Sequence, residues 1–211
     1  MLHPENLVWL AWIAGSFLSG SLMFSQWIPA LVCHTDIRAQ SDDANPGATN
    51  VFAHCGPVWG TVCLCLDLAK GFVPVFLCSH YMPTDSLWFG LVLAAPVLGH
   101  GLAPLAGFRG GKCIATSFGA LLGLLPHSGI VFLLATLYVL FSTVMPIHPN
   151  SHRSILTFGL FGAGALVHLL HHSQYALAVG CCLIAATVIW RHVKQDKEMA
   201  AHAAQTAHIH A

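Results

Sequence analysis

Charge is what this sequence has least of: Lys and Arg number 8 among 211 residues and Asp and Glu another 8, which is 8% of the chain. A water-soluble domain carries roughly 25%, so water cannot solvate this chain all round and lipid must cover much of it. A hydrophobic content of 56% and a mean hydropathy of +0.70 agree with that reading. The net charge is zero and the few basic residues are dispersed, which excludes a nucleic-acid footprint. A signal-peptide pattern is also missing. Met1–Asn6 holds no Lys or Arg, and the apolar run from Leu7 to Val32 is too long for a signal core, so it reads as a retained first span. The apolar runs lack period-two alternation, and strands cross a bilayer only as closed barrels, so helices are expected throughout.

Metal-site spacing is absent too. The 8 cysteines, at 33, 55, 63, 65, 78, 113, 181 and 182, match neither a zinc site nor a disulfide framework. Most lie in apolar runs and read as small buried hydrophobes. Among the 15 histidines, His168, His171 and His172 can meet on one helix face. No carboxylate or cysteine accompanies them, so no metal is expected. Residues 1–198 read as one polytopic membrane domain, and 199–211 as a flexible, His-containing cytoplasmic tail.

Seven apolar segments are present, at roughly 7–31, 57–79, 87–106, 111–126, 128–147, 154–171 and 173–191. About 20 helical residues cross a hydrocarbon core of about 30 Å. The loops supply an independent test. All Lys and Arg except Lys70 follow segments one, three, five and seven: Arg38; Arg109 and Lys112; Arg153; and Arg191, Lys194 and Lys197. If every segment crosses, these sites share one face, which the positive-inside rule makes cytoplasmic. The expectation is an all-α integral membrane bundle of about seven transmembrane helices, N-terminus outside and C-terminus cytoplasmic.

Polar outliers then mark where chemistry can sit. Asp67 and Lys70 lie within the second segment, three residues apart and on one face, as a packing ion pair or as part of a polar site. The first basic loop carries Arg38 and then Asp43-Ala44-Asn45-Pro46-Gly47-Ala48-Thr49-Asn50, a tight turn rich in uncharged donors and acceptors. Arg38 offers a fork for phosphate; an ordinary capped turn is the competing reading. The second basic loop, Phe108-Arg109-Gly110-Gly111-Lys112-Cys113, opens onto an apolar helix. Amides at a helix N-terminus, flanked by cations, suit an anion such as phosphate or an anionic lipid head group; a loop whose cations only set topology is the competing reading. The Walker spacing is absent. His100 precedes this turn near the same membrane face.

Three stretches taken together resemble one family: Asn-Pro-Gly-Ala-Thr-Asn-Val at 45–51, Asp-Leu-Ala-Lys-Gly at 67–71, and Gly-His through Gly-Phe-Arg-Gly-Gly-Lys-Cys-Ile-Ala-Thr at 99–116. With Gly20-Ser21 in the first span, they look like the bacterial acyl-phosphate:glycerol-3-phosphate acyltransferases, the PlsY family, in order and spacing over roughly residues 15–125. The resemblance implies a seven-span enzyme of the bacterial inner membrane with a cytoplasmic active site. It implies transfer of a fatty acyl group from acyl phosphate to the 1-hydroxyl of glycerol 3-phosphate, yielding lysophosphatidate. It also implies no cofactor, no metal and no covalent acyl-enzyme; the partners are the two substrates and membrane lipid. On this resemblance Asn45, Thr49, Asn50, His100 and His192 fall at catalytic or positioning places, and Arg38, Arg109, Gly110, Gly111 and Lys112 at phosphate-binding ones.

The chain departs from the pattern at identifiable places. Asp43-Ala44-Asn45 stands where the family has Ser-Gly-Asn, and Cys113 where a Gly follows the lysine. The family's C-terminal His-x-x-Asn-Ile-x-Arg reads here as His192-Val193-Lys194-Gln195-Asp196-Lys197-Glu198, keeping only the histidine. Two alternatives stay open: a divergent paralogue with a changed acceptor or lost catalysis, and a small transporter. The second lacks an inverted repeat to support it.

Overall fold

The computed structural model describes residues 3–125 and 127–209, with side chains through Ala201 and at Ala204. The histidines expected in the tail, at 202, 208 and 210, lie outside those side chains. Among the described residues the chain is all-helical: α1 (Pro4–Gly20), α2 (Phe24–Val32), α3 (Ile37–Gln40), α4 (Ala48–Tyr81), α5 (Leu87–Leu102), α6 (Ile114–Leu122), α7 (Val131–Val139), α8 (Asn150–His171) and α9 (Tyr175–Ile209). A 3-10 turn at Pro104–Ala106 follows α5, and a π turn at Leu140–Val144 extends α7.

Five stretches are long and apolar enough to cross a membrane: Pro4–Val32, Ala48–Tyr81, Leu87–Ala106, Asn150–His171 and Tyr175–Ala201. The expected fourth and fifth spans are shorter. The nine residues of α6 rise only about 13 Å, and Val131–Val144 about 21 Å. Here residues 123–125 and 127–130, outside both helices, take sequence that composition alone assigns to apolar segments. The expected break at 198–199 falls inside α9, which continues to Ile209.

The helix α5 forms the centre. Two thirds (67%) of its apolar window is buried, against 28% for the α1–α2 stretch, which therefore lies outermost. Phe89, Val92, Leu93 and Val97 of α5 pack with Leu177, Cys181, Ile184 and Val188 of α9 and Phe158, Phe161 and Ala165 of α8. Large apolar side chains such as Leu7, Leu31, Val58, Phe132 and Val167 point outward. An apolar exterior of this extent is what a lipid-embedded bundle presents.

Two backbone features position the polar end. Gly20 and Gly99 let α1 and α5 touch backbone to backbone: a Cβ on either would strike the carbonyl of Pro96 or Phe17. Gly56 (φ 81°) with Pro57 breaks α4, so Ala48–Cys55 can depart from the line of the long apolar stretch that follows. A small second core of Ile37, Ala48, Val51 and Cys63 ties α3 to α4 and anchors the first loop.

Candidate active site

Three segments far apart in the chain converge at one end of the bundle: the α3–α4 loop, the α5–α6 turn, and α9 from Arg191 to Glu198. The first begins with Asp36, whose Oδ1 accepts from Arg38 N at 3.0 Å and caps α3. That cap aims Arg38 across to the second segment, where Nη1 donates to the carbonyl of Arg109 at 3.1 Å.

Asp43 is the hub of the first loop. Its Oδ2 meets Lys112 Nζ at 2.6 Å, and its Oδ1 accepts from Asn50 Nδ2 at 2.9 Å and from Asn45 N at 3.2 Å. Burial alone would raise its pKa, yet the hydrogen bond and charge of Lys112, with the Asn50 and Asn45 donors, hold the carboxyl below its ordinary 3.8. Asn50 Nδ2 also donates to Asn45 O at 2.8 Å, and Asn45 Oδ1 accepts from Lys112 N at 3.1 Å. Asparagine suits this place because it donates and accepts without adding charge. Thr49 sits exposed in the first turn of α4, and Arg109 is exposed at the rim.

The Gly-Gly turn is held from both sides. The Gly111 amide donates to His100 O at 3.2 Å. From α9, Arg191 Nη2 donates to Gly110 O at 2.6 Å and Nε to Gly111 O at 3.1 Å. The expected open anion nest is thereby corrected in part: the Gly111 and Lys112 N–H groups are already engaged, by His100 O and Asn45 Oδ1. Glycine is required for closeness instead. A Cβ on Gly111 would strike His100 Nε2, and one on Gly110 the carbonyl of Gly101. The two residues standing where the resemblance has glycine, Ala44 (φ 45°) and Cys113 (φ 68°), both adopt the left-handed conformation.

Beneath the turn runs a buried polar chain. Ser25 Oγ donates to Asp67 Oδ2 at 2.5 Å, Asp67 Oδ1 pairs with Lys70 Nζ at 2.8 Å, and Lys70 Nζ reaches Leu22 O at 2.5 Å and His100 Nδ1 at 2.6 Å. An ammonium only donates, so Nδ1 accepts and Nε2, facing Gly111, carries the hydrogen. The two readings of Asp67 and Lys70 thus meet: the ion pair packs α4 and also orients His100. His192 is 1% exposed, and among the described residues neither ring nitrogen has a hydrogen-bond partner.

Sequence reasoning passed over three contributors. Arg191 read only as a topological charge, Gln195 as a lost asparagine and Asp43 as a misfit. In the structure Gln195 Nε2 donates to the backbone carbonyl of Asp43, fastening the first loop to α9. Arg191, His192 and Gln195 lie on adjoining helical positions, and that polar face on an apolar helix was the available signal. A cavity of ≈ 490 Å³ opens here, lined by Arg38, Asp43, Gly110, Arg191, Gln195 and Glu198 among others. No group of three or more His, Cys, Asp or Glu among the described residues is placed to hold a metal ion, and His168, His171 and His172 lie together as tilted and edge-on ring pairs.

The family model described as glycerol-3-phosphate acyltransferase matches residues 10–202. The chain belongs to the glycerol-3-phosphate acyltransferase family. A glycerol-3-phosphate acyltransferase of Hydrogenobaculum sp. is 35% identical, the match covering 83% of this chain and 85% of that one. Another, of Thioalkalivibrio sulfidiphilus, is 34% identical over 86% and 85%. A third, of Maridesulfovibrio salexigens, is 38% identical over 62% and 68%. The fold matches a crystal structure of PlsY (YgiH), an integral membrane glycerol 3-phosphate acyltransferase, in its glycerol 3-phosphate form. That match has a TM-score of 0.75 and 24% identity, covering 92% of this chain and 93% of the other. The lysophosphatidic acid form of the same protein matches with a TM-score of 0.73 at 23% identity. The chain is thus a multi-pass membrane protein of an acyltransferase family, and the transporter reading is set aside.

Proposed function

We propose that this protein transfers a fatty acyl group from acyl phosphate to the 1-hydroxyl of glycerol 3-phosphate, forming lysophosphatidate and inorganic phosphate for phospholipid synthesis. The observation that carries the reading is the meeting of Lys112, Arg38 and Arg191 around the Gly110–Gly111 turn, at one end of a bundle with an apolar exterior. Family membership supports the acceptor, glycerol 3-phosphate. Acyl phosphate as donor fits a site that collects cations.

Both substrates bring phosphate, so the first task is to offset their repulsion while the hydroxyl is held against the acyl carbon. The Lys112 ammonium, the Arg38 and Arg191 guanidiniums and the Gly110 amide take that role; Arg109, at the rim, adds attraction at longer range. Asn45 and Asn50 fix the shape of the turn through their bonds to Lys112 N and Asp43, and the exposed Thr49 hydroxyl serves the polyol. His100 braces Gly111, and His192, whose ring nitrogens have no partner among the described residues, accepts a substrate hydroxyl at one of them. The hydroxyl oxygen bonds to the acyl carbon, the bond from that carbon to the phosphate oxygen breaks, and the departing phosphate takes up the hydroxyl proton. The donor is activated already, so no acyl-enzyme is needed.

We place the site on the cytoplasmic face of the bacterial inner membrane, N-terminus outside and C-terminus inside, with α6 and α7 completing seven crossings. If α6 and α7 folded back as a hairpin instead, the two ends would keep the same sides. Residues 1–198 form the acyltransferase domain and 199–211 its His-containing cytoplasmic tail, into which α9 continues. The test is purified protein in liposomes, given acyl phosphate and glycerol 3-phosphate, with lysophosphatidate measured. Lys112→Ala lowers the rate at least ~100-fold, as loss of a phosphate contact worth ~3 kcal/mol requires. A near-normal rate in that variant refutes the assignment of phosphate to Lys112.

A further inference from the structure

The lysine assigned to substrate phosphate is already paired with a carboxylate of this chain. Lys112 Nζ already holds an anion, Asp43 Oδ2 at 2.6 Å, and the other carboxylate oxygen takes donors from Asn50 and Asn45. Three donors converging on two oxygens is how a protein holds one edge of a phosphate. Resting on the reading that Lys112 binds substrate phosphate, we propose that the Asp43 carboxylate is a built-in competitor for that phosphate and so sets how tightly the anionic substrates bind.

Four observations support displacement rather than a permanent lock. First, the pair is partly open, the side chains of Lys112 and Asp43 being 18% and 30% exposed. Pairs this accessible hold weakly. Second, Gln195 grips the backbone carbonyl of Asp43 and not its carboxylate, so the loop stays in place while the side chain turns. Third, the ≈ 490 Å³ cavity beside Asp43 is lined by Arg38 and Arg191, which offer the displaced carboxylate another cation. Fourth, Asp43 stands where the resemblance has serine, so competition is a property of this chain and absent from the family pattern. With its pKa below 3.8, Asp43 is an anion at neutral pH. A phosphate cannot approach Lys112 closely beside it without like-charge repulsion.

The experiment is steady-state acyl transfer with inorganic phosphate added as a competing anion, on the wild type, Asp43→Asn and Asp43→Ser. In both variants the inhibition constant of phosphate and KM for glycerol 3-phosphate fall about tenfold, the size expected when a charged hydrogen-bonding competitor leaves. In Lys112→Ala the same Asp43→Asn change has no effect on phosphate inhibition, because the contested cation is gone. Constants that are unchanged or higher in both variants overturn the proposal, and so does a gain that persists without Lys112. If one variant fails to melt cooperatively the other decides; failure of both overturns the proposal, since the pair is then structural. The parent reading fails separately: Lys112→Ala alone would then leave wild-type phosphate inhibition intact.

Discussion

Replacing Arg191 with methionine tests the architecture of the site most directly. Its guanidinium is buried and bridges two consecutive carbonyls, Gly110 O at 2.6 Å and Gly111 O at 3.1 Å. Methionine keeps most of the stem's volume and removes both donors. Hydrogen bonds from a charged donor are worth about 1.5–3 kcal/mol each, and the orphaned carbonyls face a buried environment, so the loss is at least about 3 kcal/mol. Because the same bonds hold the turn that carries Lys112, activity falls as well, ~100-fold where an energy of ~3 kcal/mol is lost from transition-state binding by the displaced turn. The assays are thermal unfolding in detergent and lysophosphatidate formation. Arg191→Lys restores the charge but cannot fork to both carbonyls, so it lands between the two. An Arg191→Met protein that melts with the wild type and turns over within about twofold of it refutes the brace. Full rescue of activity by lysine would instead assign Arg191 to charge alone.

Three further outcomes are expected. Lys70→Met strands the buried Asp67 carboxylate and destabilises by about 3–5 kcal/mol, while adding Asp67→Asn recovers most of the loss in denaturant unfolding. A single variant as stable as the double would show that the pair is not what the interior depends on. Ala44→Gly relieves a left-handed alanine (φ 45°) and stabilises by about 1 kcal/mol, read as a higher Tm; an unchanged or lower Tm would mean that no strain resides there. The Asp43 carboxyl is depressed on folding, so its stabilisation is complete above 3.8 and disappears as pH falls through the lower folded value. The Tm difference between wild type and Asp43→Asn should be flat between about pH 6 and 8 and close in acid; a difference that grows on acidification contradicts the pairing.

The membrane character of the chain was decided locally, residue by residue, which is why it was legible. Lipid forbids unpaired backbone groups and charged surface, so apolar helices and sparse basic loops had to be written into the sequence itself. Lengths were less legible: α6 and the Val131–Val144 stretch are shorter than the apolar segments that hold them, because composition does not show where turn residues cut an apolar run. The functional end was half legible. Asn45, Asn50, His100, Gly110, Gly111 and Lys112 announced themselves as polar outliers or through the family resemblance. Arg191 and Gln195 did not, because they act on carbonyls 81 and 152 residues away, and no local pattern encodes such a partner.

Amide availability was likewise a tertiary matter. The Gly-Gly turn looked open in sequence, yet His100 O and Asn45 Oδ1 fill the Gly111 and Lys112 donors. Asp43 shows the division most sharply. By sequence it was a carboxylate standing where the resemblance has serine; in the fold Lys112 pairs with it, and Asn50 and Asn45 donate to its other oxygen. Which residues carry charge is a property of the chain, but which charges meet depends on how the helices pack.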